Sequence, residues 1–145
     1  MRRGFEKVSG YEYVNFPKRK TKQSAGYDIE SAVNVVINPG ETKLIQTGIK
    51  AYMDENEWLG IYIRSSLAIK YGLVLANSVA VIDSDYYNNP DNEGHIMMAL
   101  RNTSGSPCAI KVGDRIAQGI FNQYYKVDDD SADGDRTGGI GSTGK

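Results

Sequence analysis

The chain has 145 residues, the size of one compact domain with its own core. Its 17 basic and 18 acidic side chains give a formal net charge of -1, which excludes the basic excess that draws a protein to nucleic acid without sequence preference. No apolar run is long enough to span a bilayer, the N-terminus lacks the apolar core of a signal peptide, and the single Cys108 cannot staple a fold, so a cytoplasmic protein held by its hydrophobic core is expected.

Residues 1–22 are basic and mixed, with Lys18, Arg19, Lys20 and Lys22, and read as an edge strand followed by a loop. Val33, Val35 and Ile37 alternate with Asn34, Val36 and Asn38, the period of two that marks a strand. Asn38-Pro39-Gly40-Glu41 has the composition of a type II turn: proline pre-sets φ and glycine supplies a positive one. Strand-like runs follow at 42–49, 58–63, 73–82, 96–100 and 116–121, each bounded by turn residues. The 16 glycines fit that many turns, or backbone that must approach a ligand closely. Short strands at this spacing predict an all-β sandwich, jelly roll or barrel. One short segment reads as helix, with the Ser65-Ser66 pair supplying an N-cap serine, residues 67–71 the helical turn and Gly72 the stop. Residues 128–145 carry Asp128, Asp129 and Asp130, then small residues without apolar periodicity. The predicted division is a β-barrel domain over 1–127 and a flexible, glycine-rich C-terminal tail over 128–145.

Four segments carry candidate chemistry. In Arg64-Ser65-Ser66-Leu67 a strand gives way to a helix, so a guanidinium and two hydroxyls stand beside free N–H groups. That arrangement suits a phosphate; the commoner alternative is an ordinary cap next to a surface arginine. Asp83 ends the apolar run Val79-Ala80-Val81-Ile82, where a carboxylate can act as a general base on water or simply open a hairpin turn. Tyr86 is either a ring for a sugar or a half-buried strand aromatic. Gln118, in the strand after Gly113-Asp114-Arg115, donates to a phosphate or faces solvent. The tail 136–144 combines Arg136, four glycines and the Ser142-Thr143 pair; it suits wrapping a polyphosphate, and the alternative is a flexible linker, against which the arginine and the hydroxyl pair weigh moderately. The single His95, at a strand start, is expected on the surface, and no Cys/His ligand set or Ser-His-Asp arrangement exists around it.

The order of these pieces says more than each alone. Ala25-Gly26-Tyr27-Asp28, Arg64-Ser65-Ser66, Asn77 through Val81-Ile82-Asp83-Ser84-Asp85-Tyr86, Gly113-Asp114-Arg115-Ile116-Ala117-Gln118, and Arg136 through Gly139 with Gly141-Ser142-Thr143-Gly144 resemble the five ordered motifs of trimeric deoxyuridine triphosphatases (dUTPases). The resemblance runs from Ala25 to the C-terminus. It implies a jelly-roll-like β-sandwich or distorted barrel with one short helix, assembled as a homotrimer. It implies hydrolysis of dUTP to dUMP and pyrophosphate, which keeps uracil out of DNA and supplies dUMP for thymidylate synthesis. Neither nucleic acid nor membrane is an implied partner.

Carried over by position, Asp83 resembles the base that orients the water attacking the α-phosphorus. Tyr86 resembles the ring that packs on deoxyribose, and Asn77 with the backbone near Met97 resembles the groups that read uracil. Arg64, Ser65, Ser66 and Gln118 resemble phosphate contacts. Arg136, Gly141, Ser142 and Thr143 resemble the tail that closes over the γ-phosphate, with Ile140 where the family usually stacks an aromatic ring on the base. Asp28 resembles a carboxylate that reaches Mg2+ through water, the triphosphate itself being the main ligand. Each site would draw on several chains, with Asp83 and the tail from different subunits. Thr137 and Ala80 replace glycines usual in the family, and the hairpin over 87–94 is longer than the common form. Two alternatives remain at this stage: a dCTP deaminase of the same fold, although the run 95–101 holds no glutamate for its proton shuttle, and a nucleotide-binding regulatory protein.

Overall fold

In the computed structural model, which describes residues 2–140, the apolar alternation resolves into short antiparallel strands and one α-helix. In chain order they are β1 (Gly4–Lys7), β2 (Tyr27–Glu30), β3 (Val35–Ile37), β4 (Thr42–Gln46), β5 (Ile49–Tyr52), β6 (Glu57–Ile63), α1 (Ser65–Tyr71), β7 (Leu73–Leu75), β8 (Ala80–Asp83), β9 (Met97–Asn102), β10 (Cys108–Ile110) and β11 (Arg115–Gln123). A four-stranded sheet runs β2-β11-β6-β8 and a three-stranded sheet runs β4-β9-β7. The pairs β1-β5 and β10-β3 complete the framework, and among the described residues no sheet closes on itself.

The core lies where the inward faces meet. Ile37, Ile45, Leu59, Ile61, Leu73, Ile96, Met98, Leu100 and Ile116 are fully buried and belong to one cluster. β9 shows the rule directly: Met98, Leu100 and Asn102 point in, while Met97, Ala99 and Arg101 point out. Asn102 is tolerated there because its amide donates to the Ile37 and Ser106 carbonyls, while its oxygen accepts from Ser104.

Two predicted strands are each broken by a turn. The run 42–49 splits into β4 and β5 at Thr47-Gly48, where Gly48 adopts φ 70°. The run 73–82 splits into β7 and β8 around Ser78, at φ 66°. Neither break carries a Pro-Gly signal, so the apolar runs read as continuous. The helix starts earlier than expected: Arg64 is the capping residue, Ser65 and Ser66 are already helical, and no side chain caps the end. Gly72 terminates it in the left-handed region at φ 66°, as expected.

His95 is buried, not on the surface. Its Nε2 accepts the Gly48 N–H at 2.8 Å, and Tyr11 packs edge-on against the ring at 4.8 Å. That hydrogen bond gives the buried Nε2 a partner, and it ties the β4–β5 turn to the segment before β9.

Candidate functional site

The residues singled out in the sequence gather at two places. The first is a cleft of about 300 Å³ lined by Asn77, Ala80, Asp83, Tyr86, Met97, Arg136, Gly139 and Ile140, with Leu44, Val81, Ile82 and Ala99. β8 delivers Asp83 at its last position. There the backbone turns into a single 3-10 turn over Ser84–Tyr86, which brings Tyr86 into the same cleft. The outward face of β9 supplies Met97 and Ala99, and the β7–β8 turn supplies Asn77.

Tyr86 is more deeply set than a strand aromatic. Its hydroxyl donates to the His95 carbonyl at 2.7 Å and accepts from the Asn92 amide at 2.9 Å, and burial raises its pKa. The ring therefore has one orientation. Over it lies the Arg136 guanidinium, 5.7 Å from the ring centroid. Arg136 also donates to Asp83 at 2.6 Å and to Asp85 at 2.7 Å, and its side chain is only 9% exposed. In the tail, the stretch from Arg136 to Gly139 lies against the cleft, with both Gly138 and Gly139 buried. Two carboxylates around one guanidinium make this contact in a segment without apolar periodicity. The resemblance assigns base and tail to different chains; here the tail of one chain rests on that chain's own Asp83. Gly141, Ser142 and Thr143 lie outside the described residues.

The second place collects Asp28, Arg64, Ser65, Ser66 and Gln118 with Lys20, Ser24 and Gly26 in one depression. Asp28 on β2 and Gln118 on β11 are direct cross-strand partners. Ser65 and Ser66 open α1 immediately after β6, whose neighbour is also β11. A Cβ at Gly26 would stand 3.0 Å from the Gln118 Cβ, so only glycine lets the backbone pass this close. Asp28 lies 3.6 Å from Arg115 and 3.9 Å from Arg64, so its charge is balanced across the depression. The chemistry suits an anion, with three hydroxyls, an amide, a guanidinium and the Lys20 ammonium around one carboxylate. Among the described residues, no three His, Cys, Asp or Glu side chains form a metal-ligand group.

The cleft and the depression share no lining residue. Sequence reading missed Lys20, Asp85, Asp91 and Asn92. Lys20 was visible only as part of a basic stretch, and Asp91 and Asn92 only as part of an unusually long hairpin.

Comparison with known proteins bears on this geometry. A family model described as dUTPase matches residues 12–144. The deoxyuridine 5'-triphosphate nucleotidohydrolase of Lactococcus lactis is 54% identical, over 98% of this chain and 97% of that protein. The crystal structure of the Streptococcus mutans dUTPase superposes with a TM-score of 0.83 at 44% identity, covering 86% of this chain and 98% of that one. A mutant dUTPase from phage phi11 of S. aureus, which coordinates a structural Mg(II) ion, shares the fold with a TM-score of 0.75 at 22% identity, over 91% and 97% of the two chains.

Proposed function

The chain belongs to the dUTPase family, and we propose from that membership and the geometry above that it hydrolyses dUTP to dUMP and pyrophosphate. The observation that carries this reading is the cleft in which Asp83, Tyr86, Asn77 and Met97 converge. A carboxylate at a strand end stands beside a ring whose orientation two hydrogen bonds fix.

In this account the nucleoside enters the cleft. Its deoxyribose packs on Tyr86, and Asn77 and the Met97 backbone read the uracil edge. Ile140 covers the base from the tail side. Asp83 accepts a proton from the water that attacks the α-phosphorus. In the structure its Oδ2 is taken by Arg136. A triphosphate offers that guanidinium a more highly charged partner, so substrate draws Arg136 toward phosphate and frees the carboxylate for water. Arg64, Ser65, Ser66, Gln118 and Lys20 bind phosphate oxygens, and Gly141, Ser142 and Thr143 complete the closure. Positioning and charge neutralisation supply most of the rate for this chemistry.

Mg2+ fits as an ion carried on the triphosphate, which it neutralises and orients when bound. One carboxylate, Asp28, faces the anion site, and the described residues offer no cage for direct ligation. Asp28 therefore acts through water.

The placement of the two groups supports an assembly: Asp83 pairs with Trp58 near the start of β6, whereas Arg64, Ser65 and Ser66 follow its other end at Ile63. A single dUTP needs nucleoside and phosphate contacts at once, and one chain holds them in depressions without a common residue. A second copy set against the cleft supplies the phosphate group of residues, which supports a homotrimer with shared sites. The outward face of the β4-β9-β7 sheet, with Leu44 and Val74 exposed beside Met97 and Ala99, offers apolar area for such a contact. No helix among the described residues is long and apolar enough to cross a membrane.

Pyrophosphate release from dUTP, UTP, dTTP and dCTP, with and without Mg2+, tests the reading. dUTP should be cleaved selectively and in a metal-dependent way. Equal cleavage of all four, or ammonia release from dCTP, contradicts it.

A further inference from the structure

The hairpin between Tyr86 and β9 is held from both ends. On its inner side Asn89 is buried, its amide donating to the Tyr86 carbonyl at 2.7 Å while its oxygen accepts the Asp91 and Asn92 N–H groups. On its outer side Lys50 reaches Glu93 at 2.8 Å and Asn88 at 2.6 Å. Asn88 and Glu93 accept positive φ, and Gly94 has no room for a Cβ. So much local satisfaction makes a rigid loop out of a segment with no apolar core of its own.

Two side chains of this loop face the tail. The Asp91 carboxylate accepts the Gly139 N–H at 3.2 Å. The Asn92 amide, while donating to the Tyr86 hydroxyl, fills the space beside Gly139: a Cβ there would come within 2.6 Å of Asn92 Nδ2 and 2.8 Å of its Cγ. Asn92 is itself pinned, since its oxygen accepts from Asn89 and from the Gly94 N–H. It cannot swing away without giving up those bonds.

We propose that the rigid loop 88–94 is the seat on which the C-terminal tail closes, with Asp91 and Asn92 as positioning residues for catalysis. Asp91 fixes the tail main chain at Gly139. Asn92 links that contact to the sugar-facing Tyr86 ring and makes position 139 a glycine by steric demand. The long hairpin thereby sets where Arg136 and Ile140 meet the nucleotide. The inference rests on the reading that the tail closes over dUTP.

The test uses the full-length protein and a non-hydrolysable dUTP analogue. Two readouts are taken: the analogue's Kd, and the rate of tryptic cleavage after Arg136. In the wild type the analogue should slow that cleavage. Asp91→Ala should raise Kd about 2- to 10-fold, the range of one hydrogen bond, and restore cleavage in the presence of analogue. Gly139→Ala should do the same through the clash. Asn92→Ala in the Gly139→Ala background should recover part of the loss, because the clashing atoms are gone and the two changes are not additive. If the analogue protects the wild-type tail but Asp91→Ala and Gly139→Ala behave like wild type, the seat is overturned and the closing tail stands. Absence of protection in the wild type removes the closing tail, and the seat with it.

Discussion

Asp83 and His95 show how single side chains take on their roles from the backbone that presents them. Asp83 occupies the last position of β8, where the chain leaves the sheet and the side chain reaches the cleft mouth. With Asp83 as the base, Asp83→Asn keeps the shape and the hydrogen bond to Arg136 but cannot take the proton from water. We expect analogue binding to persist and kcat to fall ~100- to 10,000-fold, measured by pyrophosphate release; near-native turnover would assign the proton to another group. His95 works indirectly. Burial pushes its pKa below the ordinary 6.5, against a smaller opposing pull from Glu93. The folded state therefore holds the neutral ring that accepts from Gly48, while the unfolded chain binds a proton more readily. The stability it contributes is complete above pH 6.5 and declines as pH falls below it. Tm of the wild type should drop more steeply between about pH 6.5 and 5 than that of His95→Gln, whose amide oxygen can accept from Gly48 without titrating. Parallel curves would show that the ring titrates alike in both states.

At the scale of elements, the tail and the turns separate what was legible in the sequence from what was not. The period of two over residues 33–38, the Asn38-Pro39-Gly40-Glu41 turn and the Gly72 stop are written in local chemistry, and each stands as read: the Glu41 N–H bonds the Asn38 carbonyl, and Gly40 has φ 80°. The two depressions were legible only through the order of the five motifs, because Asp28 and Gln118 meet through strand register, which no local pattern encodes. The breaks at Gly48 and Ser78 were hidden because no Pro-Gly signal marks them, and the burial of His95 because its partner Gly48 lies 47 residues away. The seated tail was hidden most deeply, since Arg136 finds Asp85 and Asp83 some 51 and 53 residues away. Within that tail Ile140 remains 61% exposed while lining the cleft. Ile140→Phe adds a ring that can stack on uracil, worth roughly 0.5–1.5 kcal/mol. We expect analogue Kd to tighten about 2- to 10-fold by titration calorimetry; an unchanged value would mean that the base is covered by other groups.

For the whole molecule, the central claim is that one chain carries two half-sites, an Asp83–Tyr86 cleft for the nucleoside and an Arg64–Ser66–Gln118 depression for phosphate, which different subunits combine. The buried isoleucines and leucines of both sheets form one cluster within the single chain. On the proposed reading, catalysis needs both halves in one site. The most direct measurement mixes two inactive proteins, Asp83→Asn and the double variant Arg64→Ala/Ser66→Ala, by co-refolding at equal amounts, with mixed oligomers confirmed by native mass spectrometry. Each variant keeps the half that the other lacks. If cleft and depression in one site come from different chains, random mixing completes about one site in four, and dUTP hydrolysis recovers to about a quarter of the wild-type rate. Background activity in confirmed mixed oligomers would place both halves of the site on the same chain and contradict the account.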